Sequence, residues 1–222
     1  TGYSTDHEVL RVLAELHVVP RLILRYRELY KIKSTYIAAL PNSLNCKTKR
    51  IHTSFNQTNV ATGRLASSSP NLQNIPVQVG DITVRAAFYA PEGHVFVSAD
   101  YSQIELRVLA QLSGDENLKK AFWADCDIHA QTAAKIFEVP VEQITSKQRQ
   151  IGKRINFSII YGLTPYGLSR ELKISTTEAK KYIDKYFEQY PAVQHWMDEI
   201  VEQTVQDGYT QPLYGRKRHL PS

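Results

Sequence analysis

Hydrophobic residues recur every three to four positions over most of this 222-residue chain, which is the spacing of amphipathic helices. Two helices are predicted before residue 42. The first follows an N-cap at Ser4, Thr5 or Asp6, and the second runs from Pro20, in its first turn, to Pro41. The chain therefore opens with a pair of helices.

The pattern then changes. Residues 42–76 are polar and irregular, with a short candidate strand at 50–54. Apolar residues crowd into 86–90 and 94–99, on either side of a Pro-Glu-Gly turn, and both segments are predicted to be strands.

Helical spacing returns from Ser102 almost to Gly208, a glycine that suits the end of a helix. The helices are separated at three prolines, Pro140, Pro165 and Pro191. A short hairpin is predicted around Tyr214 and Gly215. Together the elements predict an α+β protein with a small sheet, a helical lobe and an entry pair of helices.

Composition narrows the class of protein. No apolar run approaches the ~18 residues of a membrane span, so no membrane partner is expected. Cys46 and Cys126 belong to no CxxC pair, which argues against a disulfide framework or a cysteine-built zinc site and fits a cytoplasmic setting. The first residue is Thr1 and the sole methionine is Met197, so we expect that the chain is not an intact translation product.

Positive charge is concentrated rather than spread. The net charge is +5, yet residues 29–80 contain no Asp or Glu. That stretch carries six cations, Lys31, Lys33, Lys47, Lys49, Arg50 and Arg64. Two further basic clusters lie at 147–154 and 216–219. Any one cluster is explained equally well as a solvated face, but the three together favour a polyanionic partner, either nucleic acid or a nucleotide.

Asp100 directly follows the second predicted strand and precedes a predicted helix. A carboxylate at the end of a strand suits Mg²⁺, which takes one or two carboxylates and shares its other positions with water and phosphate. Asp before a helix is also a plain helper of the helix N-terminus, so both interpretations stay open. The pattern from Ser102 to Glu105 matches a capping box, which is the favoured role of Glu105 on spacing alone.

The segment 147–162 predicts a helix with two different faces. One face bears two cations and two aromatic rings at four-residue spacing, Arg149, Lys153, Phe157 and Tyr161. The opposite face bears three isoleucines, Ile151, Ile155 and Ile159. A nucleoside triphosphate would use both parts of the first face, because cations bind phosphates and rings pack on base and sugar.

Other signals are weaker or absent. His129 alone is best explained as an ordinary surface histidine. The single Gly-Lys pair, Gly152-Lys153, lacks the rest of a Walker A loop, which argues against a P-loop enzyme. The sequence also has no G-x-S-x-G elbow, H-E-x-x-H motif or Rossmann glycine fingerprint.

At these residues the sequence resembles the family A DNA polymerases. The resemblance covers essentially the whole chain and is carried by five segments in order, 31–36, 62–76, 97–107, 127–129 and 149–162. It implies a fragment of the right-hand polymerase fold, α+β in class, with a small antiparallel palm sheet, a mostly helical fingers lobe and part of a helical thumb. The implied domains are the end of the thumb at 1–41, a palm segment at 42–107, and fingers at 108–222 that run back toward the palm.

The resemblance also implies residue roles. Asp100 and the Tyr101 carbonyl would bind Mg²⁺, with two ions in the complete enzyme, and Lys153 would protonate the leaving pyrophosphate. Glu105 and Tyr161 would exclude the ribose 2′-hydroxyl. The residues implied to contact the incoming dNTP are Gln103, Glu105, His129, Arg149, Lys153, Phe157 and Tyr161. Those implied to contact primer–template DNA are Lys33, Ser34, Thr35, Arg64, Asn71, Gln73 and Asn74.

The sequence departs from the family pattern near its end. The segment that would bring the second metal-binding Asp should follow Pro221 and is not in the chain. We therefore expect the 222 residues alone to be catalytically inactive. Pro212 and Tyr214 also differ from the family pattern, which leaves the role of Arg216 open.

The implied activity is template-directed DNA synthesis in replication and repair, by a monomeric enzyme at the bacterial nucleoid. Two alternatives remain, namely a single-subunit RNA polymerase of the same fold and a non-catalytic nucleic-acid-binding module. Glu105 argues against the first, because a ribonucleotide enzyme has no use for a gate against the 2′-hydroxyl.

Overall fold

The computed structural model describes residues 3–220. The chain divides into two compact units, with the boundary between Ser98 and Ala99. Each unit has its own hydrophobic core.

The first unit begins with the two predicted helices. Helix α1 spans His7–Leu13 and α2 spans Val18–Ile32, with Pro20 in its first turn. Asp6 occupies the N-cap of α1, but its side chain makes no capping hydrogen bond. The prediction of a regular helix as far as Pro41 is wrong, because a π-helical turn, Lys33–Ile37, follows α2. Such a turn re-aims the side chains of a helix and is frequent at functional sites.

The core of the first unit joins this helical segment to the loops that follow. Its buried residues are Ile32, Tyr36, Leu40, Ile75 and Val84. The Tyr36 hydroxyl donates to the Asn74 carbonyl at 2.7 Å, and Arg85 Nε donates to the Ile75 carbonyl at 3.1 Å. The polar segment around Asn74 is therefore tied to the end of the helix.

The strands differ from those predicted. Strand β1, Ser54–Asn56, pairs antiparallel with β2, Ala66–Ser68. The predicted strands at 86–90 and 94–99 are wrong, since Val84–Ala87 forms a 3-10 turn and residues 94–99 have no regular structure. A strand needs a partner for its backbone groups, and within residues 3–220 the segment 94–99 has none.

The second unit is almost entirely helical, as predicted. Its seven α-helices among the described residues are α3 Ile104–Ser113, α4 Glu116–Trp123, α5 Ile128–Phe137, α6 Ser146–Ile160, α7 Pro165–Leu172, α8 Thr176–Gln189 and α9 Pro191–Asp207. Pro165 and Pro191 begin helices, and Gly208 ends α9 in the left-handed conformation. The α+β class and the largely helical architecture are confirmed.

The helices of the second unit enclose one large core. It includes Leu106, Leu118, Ile155, Tyr186 and Val193, all fully buried. The buried Asp115 carboxylate accepts from the backbone N–H groups of Leu118 and Ala192, so it links the N-terminus of α4 to that of α9. Buried carboxylates need such partners, and here two helix starts provide them.

The predicted C-terminal hairpin is also present. Strand β3, Tyr209–Thr210, pairs antiparallel with β4, Arg218–His219. In the described part of the chain, no helix has both the length and the apolar character needed to cross a bilayer.

Candidate functional site

Helix α6 and its C-cap carry four of the residues predicted to contact the nucleotide, Arg149, Lys153, Phe157 and Tyr161. It begins with a capping box, in which Thr145 Oγ1 accepts from the Gln148 N–H and the Gln148 side chain accepts from the Thr145 N–H. Ile155 and Ile159 are buried, while Lys153 on the other face is exposed. The two-faced helix predicted from spacing is confirmed.

Helix α5 packs very closely against α6. A Cβ added to Gly152 would lie 2.3 Å from the His129 carbonyl oxygen, a distance that no side chain tolerates. The glycine of the Gly-Lys pair is therefore required for helix packing and not for a phosphate loop. This contact brings His129 of α5 beside the predicted cationic and aromatic residues of α6.

Asp127 joins the two helices at their N-terminal ends. Its Oδ1 caps α5 by accepting from the N–H groups of His129 and Ala130, both at 3.1 Å, and its Oδ2 pairs with Arg149 Nε at 2.5 Å. Burial opposes ionisation of Asp127, but the Arg149 and backbone hydrogen bonds outweigh it and lower the pKa. The carboxylate thus fixes the direction of the Arg149 side chain.

His129 is buried, with only 3 % of its surface exposed, so the prediction of an ordinary surface histidine is wrong. Its ring centroid lies 5.8 Å from that of Phe157. Burial, followed by the positive charges of Arg149 and Lys153, lowers the pKa of His129, while Asp127 opposes the shift. The lowered pKa favours the neutral form of the imidazole.

Glu105 and Tyr161 are in direct contact. The Tyr161 hydroxyl donates to Glu105 Oε2 at 2.8 Å, joining the first turn of α3 to the C-terminal end of α6. The capping box predicted for Ser102 and Glu105 is wrong, because α3 begins at Ile104 and its N-cap is Gln103. The Glu105 side chain is instead paired with Tyr161 across the two helices.

Asp100 lies in an exposed, irregular segment rather than at the end of a strand. The following Tyr101 is 80 % exposed. Gln103 adopts a left-handed backbone conformation, φ +52°, which is uncommon for a residue with a side chain. Its Oε1 atom is buried without a hydrogen-bond partner among the described residues. Uncommon conformations and unpaired polar atoms concentrate at functional sites.

The oxygen donors at this point fit a hard cation. The exposed Asp100 carboxylate and the adjacent backbone carbonyl of Tyr101 are ligand types that Mg²⁺ accepts together with water and phosphate oxygens. Within residues 3–220 there is no group of three or more His, Cys, Asp or Glu side chains placed to bind a metal ion. The residues thus fit a metal that shares its coordination with substrate, and not a fully protein-coordinated site.

In the first unit, the residues predicted to meet DNA fall into two groups. Lys33, Ser34 and Thr35 are exposed on the π-helical turn, where Ser34 Oγ donates to the Tyr30 carbonyl at 2.8 Å. The π turn gives these three side chains a direction that a regular helix would not.

The second group lies in and beside the loop after β2. Arg64, Asn71, Gln73 and Asn74 are all exposed. Asn71 Oδ1 accepts from Ser67 Oγ at 2.9 Å, and Gln73 Oε1 accepts from the Ser67 N–H at 3.1 Å. Asn71 and Gln73 therefore shape the loop through Ser67, in addition to any contact they make with a ligand.

Three residues that shape this site, Asn156, Thr132 and Asp127, were not predicted from the sequence. Asn156 and Thr132 form a buried polar contact with each other, and the Asp127 carboxylate orients Arg149. Asp127 had a usable signal, since Asp directly before a helical segment is a typical N-cap. Asn156 gave none, because the two side chains that it contacts, Thr132 and His129, come from a different helix.

Comparison with known proteins places the whole chain in one family. Residues 1–222 match the profile of DNA polymerase family A. The chain is 48% identical over 221 residues to DNA polymerase I of Caldicellulosiruptor bescii and 49% identical over 220 residues to the thermostable DNA polymerase I of Thermus aquaticus. These matches cover 99% and 98% of this chain but only 26% of each relative, so the chain spans about a quarter of their length.

A solved structure shows the same fold. The polymerase domain of Pol1 from M. smegmatis, in complex with DNA primer-template and dNTP, superposes with a TM-score of 0.86 at 40% identity. The match covers 99% of this chain and 39% of that chain.

Proposed function

From the premise that this chain belongs to the family A DNA polymerases, we propose that it works within a longer enzyme that carries out template-directed DNA synthesis. That enzyme would transfer a deoxynucleotide from dNTP to a primer 3′-hydroxyl and release pyrophosphate. Its setting would be replication and repair at the bacterial nucleoid, in the cytoplasm, as a monomer. The domain assignment would be the end of the thumb at 1–41, palm at 42–107 and fingers at 108–222.

The contact between Glu105 and Tyr161 carries this proposal. The 2.8 Å hydrogen bond fixes a carboxylate at the end of the cationic and aromatic face of α6. A fixed carboxylate beside a sugar site rejects an extra hydroxyl both by bulk and because it leaves polar groups poorly paired. The same contact disfavours the RNA polymerase alternative, in which such a gate would obstruct the substrate.

The nucleotide would lie along α6. Arg149, Lys153 and His129 would bind the triphosphate, with Arg149 oriented by Asp127. Phe157, whose ring lies beside that of His129, would pack against the sugar, and Gln103 would border the site. Lys153, exposed and on the same face, would give a proton to the leaving pyrophosphate.

Asp100 and the Tyr101 carbonyl would hold Mg²⁺. The chemistry that the bound metal supplies is charge neutralisation on the phosphates and activation of the attacking hydroxyl. In the complete enzyme, with two ions, a further carboxylate is expected beside Asp100. The protein's own contribution is to place an exposed carboxylate shortly before a helix that carries Glu105 in its first turn.

Primer–template DNA would meet the first unit. Lys33, Ser34 and Thr35 on the π turn, together with Arg64, Asn71, Gln73 and Asn74 in the loops, provide cations and amides in a region that lacks carboxylates from residue 29 to 80. Such side chains contact the sugar–phosphate backbone and position a duplex without reading its sequence.

The decisive experiment is Glu105→Ala in the polymerase that contains this chain. We expect discrimination against ribonucleotides to fall by at least about 10-fold, since a gating contact is lost. Glu116→Ala, an exposed acid on α4 that pairs with Lys119, is the control and should leave discrimination unchanged. Steady-state primer extension with dNTP and rNTP measures both.

Two results would contradict the proposal. Unchanged ribonucleotide use in Glu105→Ala would contradict the gating role of Glu105. The argument against an RNA polymerase would then be lost as well. Absence of any primer extension by the unaltered enzyme, with DNA binding intact, would support the non-catalytic nucleic-acid-binding module.

A further inference from the structure

Asn156 is a fully buried amide at the contact of α5 and α6. Its Nδ2 donates to the Gly152 carbonyl at 3.0 Å, and its Oδ1 accepts from Thr132 Oγ1 at 3.1 Å. The same Nδ2 lies 3.1 Å from His129 Nδ1. One side chain thus connects the backbone of α6, a hydroxyl of α5 and the imidazole.

The orientation of this amide is determined by its partners. A backbone carbonyl can only accept, so the amide atom facing Gly152 must be the nitrogen. That nitrogen carries two hydrogens and accepts none. Since one hydrogen is used by the Gly152 carbonyl, the other is directed at His129 Nδ1, which must be unprotonated to receive it.

We propose that Asn156 is a positioning residue that selects the neutral tautomer of His129 with its proton on Nε2. His129 would then contact the triphosphate as a directional hydrogen-bond donor and not as a third cation. The second statement rests on the nucleotide-binding role proposed above, whereas the first depends only on the contacts of the folded chain.

The surrounding charges act in the same direction. The charged groups that face the imidazole are Arg149 and Lys153 from α6 and Asp127 from the start of α5. His129 also occupies the second position of α5, where the positive end of the helix dipole disfavours an imidazolium. Burial and the two cations lower the pKa of His129 against the opposing effect of Asp127.

The cations and the histidine would therefore have different roles. Arg149 and Lys153 would neutralise the charge of the phosphates, and His129 would donate a hydrogen bond of fixed direction. Because burial and the neighbouring cations lower the pKa of His129, a donor held neutral by Asn156 keeps its hydrogen-bonding state to lower pH than a free histidine does.

The test is histidine side-chain ¹⁵N NMR on the full 222-residue chain without nucleotide, with the His129 signals identified by their loss in His129→Gln. In the unaltered chain we expect Nδ1 at the unprotonated position and Nε2 at the protonated position at pH 7. Asn156→Asp places a carboxylate acceptor opposite His129 Nδ1, which favours protonation of Nδ1. The titration midpoint of His129 should therefore rise by about one pH unit.

Two more variants separate a positioning role from general damage to the fold. Asn156→Ala removes the donor without adding charge, so both neutral tautomers should appear. Ser158→Ala is the matched control, because this half-turn neighbour on α6 bonds to Glu171 and not to His129. It should leave the His129 signals unchanged.

The proposal is overturned if Nδ1 of the unaltered chain is protonated, or if the tautomer is the same in folded Asn156→Ala as in the unaltered chain. If Asn156→Asp does not fold by circular dichroism, Asn156→Ala decides. The spectrum is recorded without substrate, so loss of the polymerase assignment would leave the tautomer result standing. Conversely, failure of the tautomer result would leave ribonucleotide exclusion by Glu105 intact.

Discussion

Two parts of the molecule that carry predicted site residues are built in opposite ways. Around the contact of α5 and α6, Asp127, His129 and Asn156 are fixed by hydrogen bonds to groups in the same unit. In the segment that leads to Asp100, residues 94–101 have no regular structure, and Val97 is 87 % exposed. One region is preorganised by its own contacts, and the other presents its carboxylate on exposed backbone.

Because of this difference, substitutions in the two regions should have different effects on stability and on activity. A residue bound into a helix contact contributes to folding free energy, so changing it alters both the site and the fold. An exposed carboxylate such as Asp100 contributes little to folding, so changing it should alter chemistry alone. Variants at the α5–α6 contact should therefore change the free energy of unfolding, whereas variants at Asp100 should change primer extension alone.

The largest effect on activity is expected for Asp100→Ala in the polymerase that contains this chain. Loss of a metal-binding carboxylate removes several kcal/mol of transition-state stabilisation, so primer extension should fall by on the order of 10³-fold or more. The free energy of unfolding should change by no more than about 0.5 kcal/mol, because the residue is exposed.

Glu92→Ala provides the control for Asp100→Ala. Glu92 is another exposed acid, close in sequence and in an irregular turn, and its removal should leave primer extension intact. Equal activity of Asp100→Ala and the unaltered enzyme in a Mg²⁺-dependent extension assay would refute the metal-binding role.

The largest effect on stability is expected for Gly152→Ala. The added Cβ would lie 2.3 Å from the His129 carbonyl and would force α5 away from α6. Overpacking of this kind costs about 1–3 kcal/mol, toward the upper end where the obstacle is a backbone oxygen, so we expect a net loss after the gain of about 1 kcal/mol in helix propensity. Urea unfolding of the 222-residue chain measures the change.

Gly167→Ala is the matched control for this variant. Its added Cβ would lie 2.8 Å from Cδ1 and 2.9 Å from Cγ of Leu163, atoms of a side chain that can change rotamer, whereas the obstacle at Gly152 is backbone. We expect a change close to zero or a small gain. Equal destabilisation by both substitutions would show that the α5–α6 contact is not unusually close.

The same contrast explains which parts of the fold were predictable. Helical periodicity and caps are local, so the helices between residues 104 and 207 and the stop at Gly208 could be predicted from spacing. Strand formation depends on a partner that is distant in sequence. For that reason the apolar runs 86–90 and 94–99 were misassigned, the candidate strand at 50–54 overlaps the observed β1 only at Ser54, and β2 was missed.

The site divides in a similar way. The cationic and aromatic face of α6 was visible because four side chains share one helix. The pairing of Tyr161 with Glu105 joins residues 56 positions apart, and the contact of Asn156 with His129 joins two helices. Spacing alone assigned Glu105 to a capping box and His129 to the surface. Only the packing of α3, α5 and α6 corrects both.

The smallest of these effects is expected for the ion pair at the edge of the α5–α6 contact, tested by Asp127→Asn. Asn is also a good N-cap, so the substitution keeps the cap of α5 and removes the charge that pairs with Arg149. Because both partners are partly exposed, we expect a loss of about 0.2–1 kcal/mol at pH 7. The folded state lowers the pKa of Asp127 despite burial, so this contribution is complete above the unfolded value near 3.8 and disappears as pH falls through the folded pKa.

Urea unfolding of the unaltered chain and of Asp127→Asn, at pH 7 and at low pH, measures the difference in the free energy of unfolding. Asp198→Asn, which changes an exposed acid on α9, controls for net charge. A difference that stayed constant down to low pH would show that the carboxylate acts through its shape and not through its charge.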